Sequence, residues 1–323
     1  MKITITGSLG NISKPLTEEL VQKGHAVTVI SSKPEKQKDI ETLGAKAAIG
    51  TIEDVAFLTA TFTGADAVYT MLPPPDYSNL NPNLDLLAEC RKIGNKYAQA
   101  IRQSGVKRVV HLSSVGTHLD KGNGLLIFHH IMEKILGELP SDVAITFIRP
   151  TGFYNNLYSF IDMIKGKGFI AQLLTLRFYG LIPLLKGKTG IIASNYGGED
   201  KTVWVSPLDI ATVIAEEITT PFVGRNVRYV ASEELTCNQV ASILGTAVGK
   251  PYLKWAILSD KQMQSGMESF GMPKNIAAGL VEMQAAVRIG VIDEDYYRNR
   301  PKEMGKVKMK DFAKDFAAVY NQK

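Results

Sequence analysis

Residues 2–15 read Lys2-Ile3-Thr4-Ile5-Thr6-Gly7-Ser8-Leu9-Gly10-Asn11-Ile12-Ser13-Lys14-Pro15. The short apolar run over 2–6 predicts a strand, and the amphipathic run over 14–23, closing near Gly24, predicts a helix. Pro15 suits a first helical turn. Between the two elements, Gly7 allows a tight turn and Gly10 lets a phosphate approach the backbone. Ser13 is small enough for the helix to pack on the strand. The helix N-terminus then offers free N–H groups and a positive dipole end to a pyrophosphate. A Gly-x-x-Gly alone is a weak signal that ordinary βα loops also carry. Its place inside a strand–turn–helix gives it weight.

Outward from this turn, short apolar runs alternate with amphipathic ones. Strands are predicted over 25–31, 46–49, 67–71, 108–113 and 143–148, and helices over 35–43, 54–62, 83–104 and 125–138. Strands separated by helices of this length imply βαβ crossovers and a parallel sheet, an α/β fold. After Pro150 the pattern changes. Helices are predicted over 154–165 and 207–219, a strand over 227–230, and mainly helix from Thr236 onward. No low-complexity segment and no internal repeat is found.

The composition fits this picture. Of 323 residues, 45% are hydrophobic and 21% charged, which excludes a disordered chain. Net charge is +5 with acids and bases interleaved, so nucleic acid is not an expected partner. Cys90 and Cys237 cannot form a disulfide scaffold, and neither has metal-ligand spacing, so no metal is expected. Met1-Lys2 leads directly into the first strand without a secretory pattern, and a cytoplasmic location is the default expectation. Residues 169–185 read FIAQLLTLRFYGLIPLL, 17 residues interrupted by Arg177, Gly180 and Pro183. A spanning helix needs about 20 apolar residues. The stretch is therefore expected to roof the ligand crevice or make a subunit contact, with no membrane partner.

The end of the second strand reads Ile30-Ser31-Ser32-Lys33-Pro34-Glu35-Lys36. A site for NAD usually places an acid there on the ribose 2′-hydroxyl. Here two hydroxyls and Lys33 stand instead, with Lys36 near, a set suited to a 2′-phosphate. NADP(H) is thus expected over NAD(H). A solvated polar loop is the alternative.

Further segments carry a resemblance. Gly50-Thr51-Ile52-Glu53-Asp54, Thr63-Gly64-Ala65-Asp66-Ala67-Val68-Tyr69, Val109-Val110-His111-Leu112-Ser113-Ser114, Ile148-Arg149-Pro150-Thr151-Gly152-Phe153-Tyr154-Asn155-Asn156 and Ser206-Pro207-Leu208-Asp209-Ile210-Ala211 follow one another in order. Together with the glycine turn they resemble the NmrA-like branch of the atypical short-chain dehydrogenases/reductases. Thr51 replaces the first acid of that branch's adenine-contacting segment. The resemblance implies a doubly wound Rossmann sheet with the dinucleotide across the strands' carboxyl ends, and a smaller, mostly helical C-terminal substrate lobe. The implied division is 1–150 for cofactor binding with return segments at about 189–232, and 151–188 with 233–323 for the substrate lobe. Cofactor contacts are expected from Gly7, Ser8, Leu9, Gly10, Asn11, Ile12, Ser31, Ser32, Lys33, Thr51, Ile52, Met71, Leu72, Pro73, Ser113, Lys134, Pro150 and Phe153.

The superfamily's usual Tyr-x-x-x-Lys pair is missing. The corresponding helix reads Phe128-His129-His130-Ile131-Met132-Glu133-Lys134. Lys134 fits the lysine position, and His130 stands in the tyrosine's place, on the same helix face. His130 and Lys134 are the expected catalytic pair, with His129 an alternative one register step away. Ser114 or Val115 stands near the usual strand-end serine. The acceptor is expected against Tyr77, in Pro73-Pro74-Pro75-Asp76-Tyr77, and against Tyr154, Asn155 and Asn156. Core packing is the alternative for each aromatic. Without the tyrosine, alcohol–ketone chemistry and sugar epimerisation or dehydration lose their acid/base. Two readings remain: an NADPH-dependent oxidoreductase acting on a small apolar electrophile such as a quinone, and a non-catalytic NAD(P) sensor that regulates a partner. A homodimer is compatible with either.

Overall fold

The computed structural model describes residues 1–74, 85–167 and 169–322, with the backbone alone described at 169 and 170. Its first half contains β1 (Lys2–Ile5), α1 (Ser13–Gln22), β2 (Ala26–Ser31), α2 (Gln37–Thr42), β3 (Lys46–Ile49), α3 (Val55–Phe62), β4 (Ala67–Met71), α4 (Leu86–Ser104), β5 (Arg108–Leu112), α5 (Ile127–Gly137) and β6 (Ala144–Pro150). The rest contains β7 (Gly152–Phe153), α6 (Ile161–Lys165), α7 (Phe169–Tyr179), α8 (Leu181–Leu185), β8 (Ile192–Ser194), β9 (Lys201–Val205), α9 (Pro207–Thr219), β10 (Arg225–Val230), β11 (Glu233–Thr236), α10 (Cys237–Ala247), β12 (Trp255–Ile257), α11 (Asp260–Ser269), α12 (Lys274–Arg288), α13 (Glu294–Arg298) and α14 (Met309–Gln322).

The large sheet has seven parallel strands in the order β10-β6-β5-β4-β1-β2-β3. Strand order reverses between β1 and β4, and ligands of such sheets bind in the crevice at the carboxyl ends there. The two-residue period of each strand sorts side chains onto two cores. Ile3, Ile5, Val110 and Ile148 face Leu16, Leu20, Ile210 and Ile214 of α1 and α9. Val68, Val109, Ile145 and Phe147 face Phe62, Tyr97, Ile101 and Met132 of α3, α4 and α5. Each fully buried aliphatic side chain contributes roughly 1.5–3 kcal/mol of transfer free energy. Several helix starts are fixed by the residue before them. Asp54 accepts from Phe57 N–H, Asp85 from Leu87 and Ala88, and Thr236 and Ser259 form reciprocal capping boxes with Gln239 and Gln262.

After β6 the chain builds two small sheets, β11-β9-β7 and β12-β8, while α9 and β10 return to the large one. Tyr154, Leu157, Ile161, Ile164, Trp204, Trp255, Phe312 and Phe316 form a third core that ties α6, α10 and α14 to these sheets. The helix predicted over 154–165 is a 3₁₀ segment over Tyr154–Phe160 running into α6. The apolar stretch over 169–185 breaks at Gly180, φ 82°, into α7 and α8. Leu174 of α7 packs with Ile191, Ala193, Ala256 and Leu258, the β8–β12 side of the small lobe. Among the described residues no helix is long and apolar enough to cross a membrane.

Candidate active site

The glycine turn sits at the reversal point, and its geometry is set from three sides. Thr6 N–H donates to Tyr69 O at 3.1 Å, and Thr6 Oγ1 accepts from Met71 N–H at 3.2 Å, which holds the ends of β1 and β4 together. Ser13 Oγ donates to Thr6 O at 2.9 Å, so α1 is pulled onto β1. Gly7 has φ 90°, and a Cβ there would lie 2.6 Å from both Met71 Sδ and Ser13 Oγ. Ser8, φ 53°, is the non-glycine residue with a left-handed backbone among those described. Such strain costs on the order of 1 kcal/mol and collects at functional turns. It is offset by Ser8 N–H donating to Ile30 O at 3.1 Å and Ser8 Oγ donating to Ser31 Oγ at 2.9 Å. No side chain caps α1. A turn that only glycine fits, leading to an uncapped helix start at the strand-order reversal, fits a dinucleotide pyrophosphate.

The other expected cofactor residues divide into those that present surface and those that hold the frame. Gly10 and Asn11 are exposed, Leu9 is half-buried, and Ile12 is buried in the first core. Ser31 is buried, and its hydroxyl accepts from Ser8 Oγ and from Lys33 N–H at 3.2 Å. Ser32 and Lys33 are exposed at the tip of β2, whereas Lys36 pairs with Asp39 at 2.9 Å. Gly50 N–H donates to Ser31 O at 2.9 Å, and Phe57 leaves no room for a Cβ at Gly50. This brings exposed Thr51 and half-buried Ile52 beside the end of β2. Met71 and Leu72 are half-buried and Pro73 exposed, with Met71 O accepting from Tyr97 Oη at 3.1 Å. Tyr77 lies outside the described residues. Pro150 is buried and its carbonyl accepts from Val115 N–H at 2.9 Å, while Phe153 is half-buried on the first core. Ser114 O accepts from Thr117 Oγ1 at 2.8 Å.

The helix face meeting the end of β5 carries Glu133. Ser113 Oγ donates to Glu133 Oε1 at 2.5 Å, and Thr117 Oγ1 donates to the same oxygen at 3.1 Å. Arg149 clamps the carboxylate with two bonds, Nε to Oε1 at 2.9 Å and Nη2 to Oε2 at 2.6 Å. Its Nη1 donates to Tyr229 Oη at 3.1 Å and to Asp295 Oδ2 at 3.0 Å, and Tyr229 Oη donates to Asp295 Oδ2 at 2.5 Å. Burial opposes the charge of Arg149, but the bonds and charge of Glu133 outweigh it and raise the guanidinium pKa. His129, one turn before Glu133 on this face, is pushed down to about 4 by burial, with Glu133 opposing. His111 on β5 is pushed down to about 3 by burial and then by His129. It is held by Thr70 Oγ1 at 2.9 Å. Both imidazoles are neutral at neutral pH.

His130 and Lys134 lie beside this cluster. His130 is half-buried with Nδ1 at 2.9 Å from Thr117 O, and Lys134 is exposed. Both line a groove of about 540 Å³ with Leu87, Arg91 and Asn95 of α4, and a second of about 390 Å³ with Thr117, Glu133 and Arg149. Tyr154 is fully buried, its hydroxyl donating to Val307 O at 3.2 Å and its ring 5.3 Å from that of Phe312. Asn155 is half-buried and Asn156 exposed. Glu133, Tyr229 and Asp295 were not singled out from the sequence. The available signal was the helix period: Phe128, Ile131, Met132 and Leu136 must face the core, which leaves 129 and 133 together at its edge.

Comparison with known proteins agrees with this geometry. A family model described as NAD(P)H-binding matches residues 7–162. An NAD(P)H azoreductase of Xenophilus azovorans is 24% identical over an alignment covering 98% of this chain and 99% of that one. The triphenylmethane reductase of Citrobacter sp. superposes with a TM-score of 0.73 at 16% identity, covering 98% of this chain and all of that one. An NADPH-dependent quinone oxidoreductase from Escherichia coli superposes at 0.69 and 18% identity, covering 99% of this chain and 100% of that one. A matched NAD(P)H-binding segment that begins at Gly7, relatives that run the length of the chain, and an α5 without the tyrosine agree with the resemblance to the NmrA-like branch of the atypical short-chain dehydrogenases/reductases.

Proposed function

We propose that the chain is an NAD(P)H-dependent reductase, that it prefers NADPH, and that it delivers hydride to a small, largely apolar electrophile of the quinone or azo type. The observation that carries this reading is how the polar groups at the end of β5 are engaged. Ser113 donates into Glu133, Glu133 is clamped by Arg149, and His129 and His111 are neutral. α5 carries no tyrosine to protonate an alkoxide. Quinones and azo compounds need no such acid, since their reduced oxygens or nitrogens take protons from water. Relatives named for azo compounds, triphenylmethane dyes and quinones support this acceptor class. The bound dinucleotide would supply the hydride. The chain's own residues orient it: the glycine turn at the pyrophosphate, Ser32 and Lys33 at the ribose, and the Glu133–Arg149 clamp as a positioning pair under the strand ends.

The test is loss of reduced-nicotinamide absorbance with a panel of quinones and azo dyes, alongside calorimetric titration with NADPH and NADH. Turnover with at least one acceptor and tighter NADPH binding are expected. Tight dinucleotide binding without turnover on any acceptor would favour the sensor reading instead.

A further inference from the structure

Residues 158–167 and 179–188, offset by 21 positions, match at five of ten places: Tyr158/Tyr179, Ile161/Ile182, Lys165/Lys186, Gly166/Gly187 and Lys167/Lys188. A similarity this short lies below the scale of repeats that build a domain. Both copies fold alike. α6 and α8 are each five residues long and are each followed closely by a left-handed glycine, Gly166 at φ 73° and Gly187 at φ 76°. Their apolar positions have opposite fates. Ile161 and Ile164 are 1% and 0% exposed in the third core, whereas their counterparts Ile182 and Leu185 are 67% and 76% exposed. Leu173, Leu176 and Leu181 add further exposed apolar surface on α7 and α8. Exposed apolar side chains gathered in one short segment point to an interaction surface.

The charge of the segment itself selects its occupant. No acidic residue occurs between Asp162 and Glu199, yet the segment holds Lys165, Lys167, Arg177, Lys186 and Lys188. Some of these cations have partners: Lys167 pairs with Asp162 at 3.5 Å, and Lys165, Arg177 and Lys188 lie over Tyr320, Phe178 and Tyr252. None of those contacts cancels the excess beyond Asp162. A two-fold contact with a second copy would set this patch against itself, cation facing cation. An anionic bilayer surface offers the opposite charge and an apolar layer beneath it. We propose that α7 and α8 form an interfacial anchor that lies on anionic lipid bilayers, with Leu181, Ile182 and Leu185 at the headgroup–acyl boundary and Arg177, Lys186 and Lys188 at the headgroups. The helices have 11 and 5 residues, so the anchor lies on the bilayer and does not span it. This departs from the sequence expectation of no membrane partner, and it does not depend on the acceptor.

Co-sedimentation of the full chain tests it, using phosphatidylcholine vesicles with and without phosphatidylglycerol at low and high salt. Two variants are compared: Leu181→Gln/Ile182→Gln/Leu185→Gln and Lys186→Glu/Lys188→Glu. Circular dichroism melting checks that each is folded. Wild type should partition onto anionic vesicles about tenfold or more over neutral ones, and salt should weaken this. Each variant should lose about tenfold or more of that partition. Absence of wild-type binding to anionic vesicles at low salt overturns the proposal, as does undiminished binding by both variants. A concentration-dependent dimer that the apolar variant abolishes, without vesicle binding, overturns it in favour of a second copy.

Discussion

Glu133 carries two hydroxyl bonds and both arms of Arg149 in a setting where each side chain is about nine-tenths buried. Removing one partner of such a pair strands the other charge, at a cost of roughly 3–5 kcal/mol, whereas replacing both with apolar groups costs less. Denaturant unfolding of Glu133→Gln, Arg149→Met and the double variant should therefore show strong non-additivity, with the double variant more stable than the sum of the singles. Titration behaviour belongs to this scale too. His111 and His129 are held at about 3 and about 4 by burial, below the ordinary 6.5, so the unfolded chain binds protons first. Their stabilisation is complete above about pH 6.5 and is lost as pH falls toward those lower values. Asp293 acts in the opposite sense. Burial, then the charge of Glu234, pushes its carboxyl up to about 7, so its ionisation opposes folding increasingly as pH rises from about 4 to 7. Asp293→Asn should unfold at higher denaturant than wild type at pH 8, and this advantage should vanish near pH 4.

At the level of elements, the glycine turn and α5 make separable predictions. Gly7→Ala places a methyl against Met71 and Ser13 at φ 90°, so the turn must open. It should reduce NADPH affinity by about tenfold or more, equal to about 1.4 kcal/mol, because the backbone N–H groups lose their aim. Lys33→Glu leaves the turn intact and should lower the NADPH-to-NADH affinity ratio, since a charge-assisted bond to phosphate contributes roughly 1.5–3 kcal/mol. Calorimetric titration separates the two. On α5, two registers compete. If His129 and Glu133 face the reaction crevice, Glu133→Gln lowers kcat while Lys134→Ala and His130→Phe leave it nearly unchanged. Loss of turnover in Lys134→Ala with Glu133→Gln silent would restore the register read from the superfamily pattern.

Across the whole molecule, the small lobe is tied to the large sheet at identifiable places. Asp295 of α13 meets both Arg149 of β6 and Tyr229 of β10. Asp209, at the start of α9, accepts from Lys306 and Val307 N–H at 3.0 and 3.1 Å. Asp295→Ala should loosen only the first tie. Hydrogen exchange should then quicken in α12 and α13 while β1, α1 and β2 keep wild-type protection. Uniform loss of protection would mean the tie supports the whole fold cooperatively.

Much of this architecture was legible in the sequence because its determinants are local. Alternation over two residues marks a strand, a 3.6-residue period marks a helix, and a glycine forced to positive φ marks the turn after β1. These decided the parallel sheet and the place of the glycine turn without knowledge of any distant residue. The local signals did not decide which side of α5 meets Ser113. Neighbouring helix positions differ by about 100°, so one register step exchanges His129 for His130, and the choice rests on Arg149 sixteen residues beyond Glu133. Nor did they decide the fate of Tyr154, whose hydroxyl partner, Val307, lies 153 residues away. Ile161 and Ile182 stand in matching local sequence, yet one is buried and the other open, because only the first finds the third core to cover it. Local periodicity sets which way a side chain points on its element; what it meets there is fixed only when distant segments pack.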